Sequence, residues 1–83
     1  MTDYVFVSDF FVEDYVGGAE LTSEALIRAC PGSIRKIKSS VVTKDKVNQF
    51  KSATWIFGNF THLPKTILMF VIKSGIKYHI VEY

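Results

Sequence analysis

The chain has 83 residues, 48% of them apolar and 14% aromatic, with a formal charge of +2 at pH 7. That length supports one domain, residues 1–83, burying little more than about 60% of the surface its unfolded chain exposes. The composition excludes disorder, and so small a charge excess, densest at Arg35, Lys36 and Lys38, describes a solvated face rather than a nucleic-acid surface.

Met1-Thr2-Asp3 lacks the basic and apolar stretches of a signal peptide. Tyr4 to Val7 is a continuous apolar run ending in Ser8-Asp9, the pattern of a parallel strand covered on both faces, and the strand Tyr4 to Ser8 is expected at the centre of a sheet. An acidic loop follows, with Glu13, Asp14 and Tyr15, and leads to Gly17-Gly18-Ala19-Glu20. Glu20 to Cys30 reads as a helix, with Glu20 and Glu24 in its first turns, Arg28 in its last and Pro31-Gly32 as a stop. Cys30 is the only cysteine, so neither an intramolecular disulfide nor a cysteine metal cluster is available, and a reducing, cytoplasmic setting is expected.

Ile34 to Ser39 is a weaker strand, because charged residues interrupt its apolar positions. Thr43, followed by Asp45, Val47 and Phe50, marks an N-capped short helix. Thr54 to Phe57 is a strand of strong β-formers ending at Gly58-Asn59, with Trp55 and Phe57 expected in the core. Pro64 opens a helix that runs to Ser74 and stops at Gly75. Its apolar run, Thr66 to Ile72, is far short of the roughly 20 residues of a membrane span. Lys77 to Val81 completes a βαβαβαβ series.

That alternation implies right-handed crossovers and an α/β fold with a four-stranded parallel sheet. The expected architecture is a Rossmann-like half-domain with strand order 3-2-1-4. In that order the first two helices share one face and the third lies alone on the other, leaving part of that face open. Apolar residues surround most of the third helix, more than a surface helix needs, so a further helix or a second copy in a homodimer is expected to pack there.

Ligands of open parallel sheets bind outside the carboxyl ends of the strands. There the chain places Ser8 and Asp9, the glycine loop, Ser39-Ser40, then Asn59, Thr61 and His62, and finally Glu82. Gly17 and Gly18, between a strand and a helix, allow close backbone approach to an anion at the helix N-terminus and are the candidate phosphate-binding residues. Glu20, Asn59, Thr61 and His62 are candidates for binding hydroxyl groups of a ligand or acceptor. Asp9 and His62 are the weak catalytic candidates, as acid or base. His79, inside a strand, reads as structural. No Cys or His set has metal-ligand spacing, and neither GxxxxGK[ST] nor GxGxxG is present, so no metal, cofactor, nucleotide hydrolysis or dinucleotide binding is expected.

The strand, acidic loop and Gly17-Gly18-Ala19-Glu20 opening a helix of the form LTSEALI resemble the start of the two-domain GT-B glycosyltransferases, in particular the retaining sucrose- and mannosyl-transferase family. The WIFGNF segment, 55–60, resembles a later stretch of the same N-terminal domain, where a strand ends near the acceptor cleft. The resemblance implies that Gly17 and Gly18 lie by the donor's diphosphate and that Asn59, Thr61 and His62 face acceptor. It implies a sugar nucleotide or glycan acceptor as ligand, and a C-terminal donor domain that the 83 residues do not contain. The chain is therefore expected to be a truncation, a fragment or a small stand-alone relative, not catalytic alone. A self-associating α/β module without chemistry is the alternative, and a flavodoxin-like phosphoacceptor domain using Asp9 a third reading.

Overall fold

The computed structural model describes residues 2–11, 13 and 17–81. Four strands alternate with three helices: β1 (Tyr4–Ser8), α1 (Gly18–Ala29), β2 (Ile34–Lys38), α2 (Lys44–Gln49), β3 (Thr54–Phe57), α3 (Lys65–Lys73) and β4 (Tyr78–Ile80). Thr43 caps α2, its hydroxyl accepting from the Lys46 N–H at 3.3 Å. Gly75 follows α3 at φ +72°, the left-handed geometry in which glycine ends a helix without strain.

All four strands are parallel, as the alternation implies, and β1 is an inner strand. The order, however, is β2-β1-β3-β4 rather than 3-2-1-4. The composition of the two strands explains the difference. An inner position sets Trp55 and Phe57 of β3, both fully buried, into the core beneath α2 and α3. β2 carries Arg35, Lys36 and Lys38, charges that an edge accommodates and that discourage strand addition.

The new order redistributes the helices. β1 connects to β2 in one direction, whereas β2 to β3 and β3 to β4 run in the other, so right-handed crossovers set α1 on one face and α2 with α3 on the opposite face. The core has that composition. Val5, Val7, Ile37, Trp55 and Phe57 from the sheet meet Val47 of α2 and Ile67 and Val71 of α3. The α1 side is incompletely covered, with Ile56 half-buried and His79 exposed, and the β4 edge of the α3 face is open as well, where Tyr78 and Ile80, in register with Trp55 and Phe57, are exposed. Burial claims only one stripe of α3, and Met69 and Ile72 remain exposed on it.

On the α1 side Phe6 is fully buried and meets Phe11 edge to face, with ring centroids 6.2 Å apart. Lys36 crosses from β2 toward α1, its ammonium 5.3 Å over the Phe11 ring, bonded to Glu13 and 3.7 Å from Glu24. The hydrogen bond to Glu13 raises the Lys36 pKa above its ordinary 10.5, the charges of Glu24 and Glu13 adding to it and burial opposing it. A raised pKa means that the folded state binds this proton more tightly. The stabilisation is therefore complete below about pH 10.5 and is lost as pH rises through the higher folded value. Urea midpoints between about pH 9 and 12 should fall more steeply with pH for the wild type than for Lys36→Met.

Candidate functional site

The carboxyl ends of β1, β2 and β3 meet the start of α1 around a cavity of about 680 Å³ lined by Phe10, Gly17, Gly18, Ala19, Glu20, Lys38 and Asn59. Its position follows from the topology. The connection leaving β1 and the connection leaving β3 depart in opposite directions, so the chain opens a crevice between these adjacent strands at their carboxyl ends. Phe10 follows one strand and Asn59 the other.

α1 begins at this crevice at Gly17, an N-cap without a side chain, and no described side chain caps it. Its first backbone bond runs from the Leu21 N–H to the Gly17 carbonyl at 3.0 Å, which leaves the preceding first-turn N–H groups outside the helical ladder. Those groups and the helix dipole favour an anion. Neither glycine is there for a left-handed turn: Gly17 is extended (φ −134°, ψ −179°), and among the described residues only Gly75 has positive φ. What Gly18 contributes is the lack of a side chain, since a Cβ there would meet nothing within 4 Å. The glycines keep the approach to the helix start unobstructed.

The other lining groups differ in character. Lys38, the last residue of β2, adds a second source of positive potential. Glu20 is only 6% exposed and makes no hydrogen bond or ion pair with a described residue, so its carboxylate suits a hydroxyl or amino donor. Phe10, 43% exposed, offers an apolar ring face at the mouth. A phosphate, hydroxyl groups and an apolar ring surface can therefore be met within one cavity.

Asp9 does something else. It is 7% exposed, its N–H donates to the Asn59 carbonyl at 2.6 Å, and its Oδ1 accepts from the His62 N–H at 3.0 Å. These bonds tie the end of β1 to the loop after β3 and so hold one wall of the crevice. His62 Nδ1 is 3.9 Å from the same oxygen, too far for a hydrogen bond, and its ring meets Phe10 edge to face at 6.0 Å. Asp9→Ala should cost about 1–3 kcal/mol, the usual loss when a buried bond to a charged group is removed, read as a lower urea midpoint at unchanged slope.

Of the residues singled out from sequence, the structure brings Gly17, Gly18, Glu20 and Asn59 to the cavity. Asp9, Thr61 and His62 stand beside it. The Thr61 hydroxyl lies 3.4 Å from Asn59 Oδ1, and His62 lies against Phe10. Ser39 is fully buried with an unbonded hydroxyl, Ser40 is exposed, and Glu13 engages Lys36. Asp14, Tyr15 and Glu82 lie outside the described residues. Phe10 and Lys38 are the lining side chains that sequence reasoning missed. Lys38 had a legible signal, because it ends a strand in a sheet whose ligands bind at strand ends.

Among the described residues no group of three His, Cys, Asp or Glu side chains is placed to hold a metal ion. No described helix is long and apolar enough to cross a membrane. Comparison with protein-family models, with curated proteins and with solved structures gave no match.

Proposed function

We propose that the chain is a binding module of glycosyltransferase type, taking the phosphate part of a sugar nucleotide at Gly17 and Gly18, presenting Asn59, Thr61 and His62 toward an acceptor, and not catalytic alone. The observation that carries this reading is the uncapped start of α1 opening, past two glycines, into the crevice between the carboxyl ends of β1 and β3. Lys38 adds charge complementary to phosphate, and the Glu20 carboxylate, without a partner among the described residues, matches hydroxyl groups of a sugar. Phe10 suits the apolar face of the same ring. Asp9 serves the module by holding the Asn59–His62 loop in place. A reducing compartment such as the cytoplasm fits the lone Cys30.

Thermal unfolding with inorganic pyrophosphate, nucleoside diphosphates and nucleotide sugars tests the reading. Binding to the folded state raises the melting temperature by mass action. One specific feature favours a second reading, a self-associating module. β4 is an edge strand with Tyr78 and Ile80 exposed, and unlike β2 it is not guarded by a row of charges. Absence of a shift with every ligand, up to millimolar concentrations, would leave that second reading as the better one.

A further inference from the structure

A second concavity lies over the edge of β2, about 310 Å³ in volume, and Lys38 lines both it and the cavity at α1. Its wall includes Arg35, Lys38, Val41, Lys46, Gln49 and Phe50. Cations arrive from two elements: Arg35 and Lys38 from β2, and Lys46 from α2. Lys36 lines it as well, but its ammonium is engaged by Glu13 and Glu24, and Lys38 too has a partner of its own, so the subsite rests on Arg35 and Lys46. No described carboxylate lines the concavity, and neither Arg35 nor Lys46 forms an ion pair with a described residue.

The base of the concavity is well supported. The Phe50 carbonyl accepts from the Trp55 indole N–H at 3.0 Å, and the Phe50 N–H donates to the Lys46 carbonyl at 3.1 Å. The Arg35 guanidinium sits 5.1 Å above the Phe50 ring. A cation–π contact of this kind steadies a guanidinium while leaving N–H groups to meet an oxyanion. Charges on an edge strand already serve to discourage strand addition. That role asks only for charges spread along the edge, whereas here cations from strand and helix converge on one hollow floored by an aromatic ring.

We propose that this concavity is a phosphate-group subsite for a small phosphorylated ligand, separate from the cavity at α1 and adjoining it at Lys38. Its volume lies at the lower end for small-molecule sites, which fits one phosphorylated group and not a length of nucleic-acid backbone. The subsite does not depend on the reading of the α1 cavity, and the two can be separated by experiment.

The test is an amide NMR titration of the full chain with inorganic phosphate at constant ionic strength, set beside titrations with chloride and with a short single-stranded oligonucleotide. Phosphate should produce saturable shifts at Arg35, Lys38, Lys46 and Phe50. The variant Arg35→Gln/Lys46→Gln should weaken that binding roughly tenfold or more without altering any response at Gly18 and Ala19. Gly18→Val should do the reverse. Absence of saturation at Arg35, Lys46 and Phe50 up to about 50 mM phosphate, well beyond a millimolar Kd, would overturn the proposal, as would equal shifts with chloride. Oligonucleotide binding at these residues, tighter than phosphate and with a salt slope reporting several phosphate contacts, would overturn it in favour of a nucleic-acid surface.

Discussion

Replacing Trp55 by alanine is expected to remove most of the stability of this protein. Trp55 is fully buried on an inner strand, stacked against Phe57 with ring centroids 6.2 Å apart, and its indole N–H donates to the Phe50 carbonyl at 3.0 Å. Truncating a buried aromatic of this size costs about 3–5 kcal/mol through lost transfer energy and the cavity left behind. The Phe50 carbonyl loses its indole partner as well, which adds to the loss. A domain of 83 residues has a total of only about 4–12 kcal/mol at the usual stability per residue. The variant should therefore be unfolded at 25 °C or melt some 15–30 °C lower, as followed by circular dichroism. Trp55→Phe keeps most of the volume and should fall between the two. A cooperative Trp55→Ala transition within a few degrees of the wild type would show that this core is not what holds the sheet together.

Substituting Gly18 by valine should leave the fold intact and abolish phosphate binding at α1. No atom lies within 4 Å of the position its Cβ would take, and its φ is not positive, so the substitution meets neither a clash nor backbone strain. Its effect on stability should stay within about 0.5 kcal/mol, as for other open positions. The isopropyl group would instead stand at the start of α1, where the first-turn N–H groups face the cavity. A ligand present at ten times its Kd stabilises the wild type by about 1.4 kcal/mol, or roughly 5–10 °C for a domain of this size. That shift should vanish in Gly18→Val at an unchanged baseline melting temperature. Loss of the shift together with a large drop in the baseline would mean that the glycine serves the fold.

The elements were legible because their signals are local. The Thr43 cap, Gly75 as a helix stop, and the apolar runs of β1 and β3 each act within a few residues. Strand order is not local, since β3 had to choose between β1 and β2 as its neighbour. The deciding information was present in the charges of Arg35, Lys36 and Lys38, which mark β2 as an edge, but the alternation of strands and helices alone does not weigh it. The site was half legible for a related reason. Gly17, Gly18, Glu20 and Asn59 announce themselves as loop and helix-start residues. Phe10 resembles any core aromatic until the fold leaves it exposed at the cavity. Asp9 has the residue type of a base, and only its bonds to the Asn59–His62 loop reveal a clamp.

The central claim is that the uncapped start of α1 is a phosphate-binding site, and the most direct measurement of it is calorimetric unfolding of the wild type and Gly18→Val with and without inorganic pyrophosphate or a nucleotide sugar. The account predicts a concentration-dependent rise in melting temperature for the wild type and none for the variant, with both melting at the same temperature in buffer alone. Equal shifts in the two proteins, or none in the wild type at millimolar ligand, would contradict it.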